Sequence, residues 1–272
     1  MLKLIILLTA LMTVNCSYFE KDSSSPPPAA PVPEPSFSNP THYFGKAKKI
    51  VIEVAYEPNA VPFTGPIGDT IDAWAIFREN ATALMSFNLN QPNIEIPSQL
   101  ENMTPMPDQM TQSWSIAGLE STSRTYLPRE NTSEVAYFKI LFVNGLMKAP
   151  LSNSEGILGV NLTGTNIIVI FKDVVENRIR SQGTNAKFVE QFTLVHEFGH
   201  AIGLVNNGIP ANDTHYDGKD GAHCTRNDCV MYWANEGFTE LYGFMKNYLE
   251  NESLIMFGDS CLDDIATFTS QL

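Results

Sequence analysis

The segment His196-Glu197-Phe198-Gly199-His200 constrains the fold of this chain most, because it lies inside an apolar stretch with helical spacing. From Phe188 to Leu204, apolar residues recur every three or four positions and form two adjacent apolar stripes along the helix. A helix of this kind lies inside a domain, where two histidines and a glutamate are costly to bury without partners. Burying all three together without a metal or partners would need several compensating hydrogen bonds.

The spacing of these polar residues is that of a zinc site. On a helix, His196 and His200 lie about one turn apart on one face and can chelate a single Zn²⁺. Glu197 projects beside them, where a carboxylate can accept a proton from a metal-activated water. The alternative is that all three are hydrogen-bonded residues of the core or its rim. Since that alternative needs several compensating hydrogen bonds, the pattern favours zinc-dependent hydrolysis of an amide bond.

The motif continues to Asn206 as HExxHxxGxxN. This string resembles the motif of the metzincin clan of zinc peptidases, HExxHxxGxxH, which ends in Asp in some members. The resemblance implies that Gly203 lets the helix stop and the chain turn sharply toward a third ligand. Asn206 departs from the pattern, because a neutral amide is a poor zinc ligand. The third ligand is therefore expected elsewhere.

The stretch from His223 to Met231 has the pattern HCx4CxM. It resembles the segment that directly follows HExxHxxGxx in archaemetzincins, with an insertion here from Asn206 to Ala222. The resemblance implies that His196, His200 and His223 bind one zinc ion. It also implies that Met231 fills apolar space beneath these ligands.

The insertion contains other candidates for the third ligand. His215 is the direct competitor of His223, and Asp213 or Asp217 can also serve. The segment is rich in Asn, Asp and Gly, which is typical of loops and turns. Tyr232, directly after the methionine, is a candidate for stabilising the oxyanion, although a tyrosine in an apolar turn commonly serves in packing.

The cysteines bear on a second metal site. Archaemetzincins hold a structural zinc on four cysteines that end in a downstream CxxC pair, which is absent here, where only Cys261 follows. A second zinc on four cysteines is therefore not expected, and one ion is predicted. Cys224 and Cys229 are close enough in sequence for a disulfide in an oxidising compartment.

The N-terminal segment predicts export. Residues 1–16 contain one lysine, a short apolar run and then Cys16, and they resemble the signal peptide of a bacterial lipoprotein that is acylated on that cysteine. Residues 17–40 are rich in serine and proline and predict an extended tether. We expect a protein anchored to the cell envelope through lipidated Cys16, with simple secretion as the alternative.

Residues 41–272 have the size of one catalytic domain. Strands are predicted over Lys48–Tyr56, Val135–Val143, Gly156–Leu162 and Thr165–Phe171, and helices over Asp69–Phe87 and Phe238–Leu249 beside the motif helix. The order predicts an α+β fold: an α/β upper subdomain with a mixed twisted sheet and the active-site helix, and a smaller irregular C-terminal subdomain. Metzincins share this layout. The segment Asn88–Ser133 shows little periodicity.

The net charge of the chain limits the classes of molecule that it can bind. With 17 basic and 30 acidic residues the net charge is −13, which repels nucleic acid. The predicted function is zinc-dependent endopeptidase activity on a protein or peptide substrate, with Glu197 as the general base. The alternative is an inactive surface lipoprotein that binds metal or a partner on a peptidase fold, which Asn206 and the long insertion favour. The oligomeric state and the natural substrate do not follow from the sequence.

Overall fold

The computed structural model describes residues 38–67, 71–148, 156–180, 186–219, 221–232 and 254–272, together with Phe244 and Tyr248. All of them belong to the unit Pro35–Leu272. The predicted signal peptide and residues 17–37 of the predicted tether lie outside the described residues. So does the helix predicted over Phe238–Leu249, except for Phe244 and Tyr248, which are both helical.

The described elements are six α-helices, one 3-10 turn and twelve strands. The helices are α1 Pro40–Gly45, α2 Ala73–Met85, α3 Ile116–Tyr126, α4 Lys172–Arg180, α5 Ala186–Ile202 and α6 Asp259–Thr269, with the 3-10 turn at Leu100–Asn102. The strands are β1 Lys49–Tyr56, β2 Pro66–Ile67, β3 Ile71–Asp72, β4 Asn93–Glu95, β5 Thr104–Pro105, β6 Ser113–Trp114, β7 Val135–Val143, β8 Leu146–Met147, β9 Gly159–Asn161, β10 Ile167–Phe171, β11 Tyr216–Asp217 and β12 His223–Cys224.

A mixed sheet forms the centre of the fold. Its strands follow the order β4-β1-β7-β10-β9, and β5 pairs with β1 beyond β4. All pairs are parallel except β9 with β10, so β9 is an antiparallel edge strand. Strand β10 is wholly apolar, and β1 and β7 are mostly apolar apart from the buried Glu53 and Lys139, as parallel strands covered on both faces require. The mixed sheet and its helices confirm the predicted α+β class.

Helix α5 carries the HExxH segment and lies within the core, as its apolar pattern predicts. It packs against α2, β9 and β10. The Phe198 ring lies 5.2 Å from that of Phe77 on α2 and 4.9 Å from that of Phe138 on β7, measured between centroids. Every residue from Phe188 to Ile202 is buried. Tertiary contacts on several sides therefore fix the position of the motif residues.

A buried ion pair anchors the first turns of α5. Lys172, the first residue of α4, contacts the Glu190 carboxylate, and both side chains are almost completely buried. Glu190 also accepts a hydrogen bond of 2.8 Å from the backbone N–H of Phe63, whose ring lies beneath the Lys172 ammonium. Burial raises the pKa of Glu190, and the charge of Lys172 opposes that shift. The pair links α4, α5 and the loop after β1.

Several elements differ from the sequence-based prediction. Helix α3 lies within the segment that shows little periodicity, because only Leu119, Thr122 and Ser123 of this helix are buried, and polar residues form most of it. Its one local signal is the N-cap Ser115, whose hydroxyl accepts from the Gly118 N–H at 3.1 Å. Helix α6 was not predicted either. None of the described helices is both long enough and apolar enough to span a lipid bilayer.

The last three residues of the predicted tether already belong to the folded unit. The Ser38 N–H donates to the carbonyl of Gly164 at 2.7 Å, and the Ser38 hydroxyl donates to the carbonyl of Ala201 at 2.9 Å. Asn39 caps α1, and Pro40 is its buried first residue. The proline-rich composition extends past the start of the packed structure because Pro is also favoured in the first turn of a helix.

Candidate metal centre

Three buried histidines converge at one point of the structure. His196 and His200 project from α5, and His223 comes from β12, beyond the inserted segment. One ring nitrogen of each lies within 4.8 Å of the others, and the Nε2 atoms of His196 and His200 are 3.1 Å apart. Two nitrogens on a tetrahedral zinc ion lie about 3.3 Å apart, given Zn–N bonds of about 2.0–2.1 Å. The three side chains therefore fit a single zinc ion.

Hydrogen bonds to the other ring nitrogens orient the two helical histidines. His196 Nδ1 lies 2.8 Å from the carbonyl oxygen of Val230, so Nδ1 carries the proton and Nε2 keeps its lone pair. His200 Nδ1 lies 3.1 Å from the side-chain amide nitrogen, Nδ2, of Asn207. With the amide turned to present its oxygen, Asn207 accepts the Nδ1 proton and leaves Nε2 for a metal. Both rings thus have the support that ligating histidines require.

The environment also favours neutral imidazoles. Burial lowers the pKa of His200 well below its usual value, and the neighbouring rings of His196 and His223 lower it further. A neutral imidazole is the form that binds a metal ion. The cluster is therefore prepared to bind a cation through the lone pairs of its neutral rings.

Glu197 lies beside the histidines and is held by the edge strand of the sheet. Its Oε2 accepts a hydrogen bond of 2.6 Å from the backbone N–H of Asn161 on β9. The Asn161 side chain donates in turn to the carbonyls of Thr165 and Ile167, both at 3.0 Å, which fixes the end of β9. The Glu197 carboxylate is therefore held in one orientation by a backbone group whose own position is fixed. A backbone donor of this kind has no signal in the sequence.

Met231, which the resemblance places beneath the ligands, packs against Gly199, the residue of α5 that directly precedes His200. It is completely buried, and its sulfur and methyl group contact Gly199 of α5 so closely that a Cβ at that position would collide with them. Phe257 approaches the same point, 3.0 Å from the position of such a Cβ. The close approach of a methionine 32 positions later in the chain thus favours a glycine at this position of HExxH.

The turn after α5 explains the departure at Asn206. Gly203, Val205 and Asn206 have φ angles of 109°, 52° and 67°. Asn206 tolerates the left-handed region better than most residues, and its side-chain oxygen accepts from the Ala211 N–H at 2.8 Å. Asn206 therefore shapes the turn, whereas the next residue, Asn207, reaches His200. The sequence pattern singled out the first of these asparagines and missed the second.

Strand β11, in the inserted segment, pairs with β12 to form a short ribbon. The other candidates for the third zinc ligand lie in this segment, outside the cluster of three histidines. β11 pairs with β12 in antiparallel register, with Asp217 opposite His223 and Tyr216 opposite Cys224. Successive residues of a strand point to opposite faces, so His223 faces the helical histidines and Cys224 faces away from them. Asp213 is exposed, and neither Asp213 nor Asp217 belongs to the groups of side chains that could hold a metal.

His215 lies in a second cluster, on the other face of the ribbon. Its Nδ1 is 3.5 Å from the sulfur of Cys224, and the donor atoms of His215, Cys224 and Cys261 lie within 4.8 Å of one another. The Cys229 and Cys261 sulfurs are 3.6 Å apart. None of the three described cysteines forms a disulfide, so Cys224 and Cys229 are not bonded to each other in the structure. The neighbouring thiols of Cys229 and Cys261 lower the pKa of Cys224.

Tyr232 is half-buried at the end of the same segment. Its N–H donates to the carbonyl of Cys229 at 3.0 Å, and its backbone bridges to Cys224. These contacts hold the chain that carries Met231. The contribution of the Tyr232 hydroxyl to oxyanion stabilisation stays a prediction.

Comparison with known proteins gives structural similarity only. No protein-family model matches the chain, and no curated protein matches it. Among solved structures, it is similar to a zinc-dependent peptidase from Methanocorpusculum labreanum, with 12% identity and a TM-score of 0.42 over 79% of this chain and 99% of the other. It is also similar to an archaemetzincin from Methanopyrus kandleri, with 14% identity and a TM-score of 0.40 over 82% of this chain and 96% of the other.

Proposed function

We propose that this protein is a zinc-dependent endopeptidase whose catalytic ion is bound by His196, His200 and His223. The observation that carries this proposal is the convergence of three buried imidazoles beside a carboxylate held by a backbone N–H. The rigid support of His196 by Val230 and of Glu197 by Asn161 adds to it. Three protein ligands are what catalytic zinc sites use, since the fourth position is kept for water or substrate.

The residues divide the chemistry between them. His196, His200 and His223 would hold the zinc ion, which when bound would supply Lewis acidity toward the scissile carbonyl and the attacking water. Glu197 accepts the proton of that water and returns it to the leaving amine, so no covalent acyl-enzyme forms. The bond from the Asn161 N–H holds the carboxylate in place during both transfers. Asn207 and Val230 keep the two helical imidazoles in the required tautomer.

We further propose that the protein acts at a bacterial cell envelope, either anchored through lipidated Cys16 or secreted. The supporting observation is the sequence alone: a short apolar run, a cysteine at its end and a proline-rich segment after it. The net charge of −13 does not favour nucleic acid as a partner.

The test compares the full chain with its Glu197→Gln variant on a broad peptide library, with zinc content measured in parallel. We expect wild-type cleavage that a chelator abolishes and added zinc restores. The variant should lose about 10²–10⁴ in rate, which corresponds to about 2.7–5.4 kcal/mol in the activation barrier. It should retain its zinc, because the glutamate is not a ligand.

Glu79→Gln on the exposed face of α2 is the matched control and should keep wild-type activity. If the wild type cleaves no peptide under conditions where zinc occupies the three histidines, the endopeptidase proposal is wrong. The alternative of an inactive metal-binding or partner-binding surface protein would then be the better account.

A further inference from the structure

The second cluster has the donor set of a structural zinc site. Cys224 lies on β12, Cys229 in the following turn, and Cys261 in the first turn of α6, and all three sulfurs are buried. The Cys229 sulfur is 3.6 Å from that of Cys261, and the donor atoms of His215, Cys224 and Cys261 lie within 4.8 Å of one another. Zn–S bonds of about 2.3 Å separate two sulfurs of a tetrahedral site by about 3.8 Å. The thiols are thus close to the spacing that a shared ion requires.

His215 supplies the fourth donor in the correct tautomer. Its Nε2 lies 2.9 Å from Oδ2 of Asp264 on α6, and neither atom has a further hydrogen-bonding partner. The other carboxylate oxygen of Asp264 accepts from the Asn212 N–H at 3.2 Å. With the His215 proton held at Nε2, the lone pair of Nδ1 points toward the sulfur of Cys224, 3.5 Å away. A carboxylate that orients a ligating histidine in this way is a recurrent feature of zinc sites.

The surroundings of the cluster suit a negatively charged thiolate site. The backbone N–H of Arg226 donates to the Cys224 sulfur at 3.4 Å, as donors around metal-bound thiolates do. A small pocket opens beside the sulfurs and is lined by Cys224, Cys229 and Cys261 together with Arg226. An ion can therefore reach the cluster without unfolding the chain.

We propose that His215, Cys224, Cys229 and Cys261 bind a second, structural zinc ion that joins the inserted ribbon to α6. The sequence predicted one ion because the chain lacks the downstream cysteine pair of the related four-cysteine site. His215, contributed by this chain's own insertion, takes the place of the missing cysteine. Since Cys224 follows the third catalytic histidine directly, the ion would also hold His223 in position.

The test measures bound zinc in the full chain, purified under reducing conditions with zinc supplied. We expect two ions per chain in the wild type and one in Cys261→Ser. The matched control is His42→Gln, which changes a buried histidine that belongs to neither cluster and should retain two ions. Asp264→Asn should weaken binding of the second ion by about 10–100-fold, as loss of an orienting partner does.

Cobalt substitution identifies the ligands independently of activity. A thiolate-to-cobalt charge-transfer band should appear in the wild type and persist in the double variant His196→Ala, His200→Ala, which keeps only the second site. The band should be absent from Cys261→Ser. Should that variant not fold, the double variant alone decides, because the described part of the chain offers cobalt no other intact cluster.

Three results would overturn the proposal. They are a single zinc ion in the wild type, a cobalt spectrum without a sulfur band, and a Cys229–Cys261 disulfide in the protein isolated from its own compartment. A failure of the proposed peptidase activity can be told apart from a failure of this proposal. A chain that binds two zinc ions and cleaves no peptide would contradict the peptidase activity and leave the second site intact. Conversely, a chain that cleaves peptides with one histidine-bound ion refutes the second site alone.

Discussion

Replacing Gly199 with alanine tests whether the methionine beneath the metal site controls the helix above it. The added Cβ would lie 3.0 Å from Phe257 Cε1 and 3.2 Å from Met231 Cε, and closer still to the Met231 sulfur. Optimal carbon contacts are about 3.5–4.0 Å. Overpacking of this kind costs about 1–3 kcal/mol, whereas alanine in place of glycine favours the helix by about 1 kcal/mol. We therefore expect a net loss of up to about 2 kcal/mol in the free energy of unfolding.

A double-mutant cycle isolates the contact. Met231→Ala alone should cost about 2–5 kcal/mol, because it leaves a cavity under the histidines. In the double variant, the new methyl group of residue 199 enters that cavity. The combined loss should therefore fall short of the sum of the two single losses by about 1–3 kcal/mol.

The assay is equilibrium denaturation of the full chain at one fixed excess of zinc, since bound metal contributes to the apparent stability. Two results together would refute the reasoning. They are a Gly199→Ala variant that is more stable than the wild type by about 1 kcal/mol, and losses in the cycle that add to within about 0.5 kcal/mol. Gly199 would then be a helix residue without a packing role.

Three further predictions concern other parts of the structure. Lys172→Met leaves the Glu190 carboxylate buried without its cation and should destabilise the fold by about 3–5 kcal/mol, and denaturation should show that adding Glu190→Leu restores most of the loss. Asn207→Ala removes the partner of His200 and should weaken binding of the catalytic zinc by about 10–100-fold, measured by competition with a chelator. Cys16→Ala should release the protein from membranes and abolish fatty-acid labelling, whereas a wild type that takes up no label and fractionates as soluble would support plain secretion.

The sequence predicted the parts of the fold that rest on local apolar patterning. Val135–Val143 is predicted and observed as a strand over the same residues, and α5 lies within two residues of its predicted start and end. Both are long apolar segments whose burial follows from composition. Helix α3 was not predicted from the sequence. Most of its residues are polar and only a few of them are buried, so no regular apolar pattern marks the helix.

The residues of the candidate site also fall into those that the sequence reveals and those that it does not. The sequence singled out the histidines and Glu197, because their chemistry is in their side chains. It could not give Asn161, which acts through a backbone N–H. Nor could it assign His215, because Asp264 reaches that histidine from α6, 49 positions further along the chain. Partners of this kind are set by tertiary packing, which no local pattern encodes.

The contact of the N-terminal segment with the end of α5 determines where a working fragment of this protein can begin. Pro40 fills the space above Gly203, where a Cβ would lie 2.5 Å from the proline Cγ, and it covers Gly208 in the same way. Ser38 caps the carbonyl of Ala201. A fragment cut at Thr41 would thus lack both the cap and the plug of the turn that follows His200. Recombinant versions therefore have to retain Ser38. Proteolytic removal of the whole proline-rich segment, up to residue 40, would loosen the metal-binding helix at its C-terminal end.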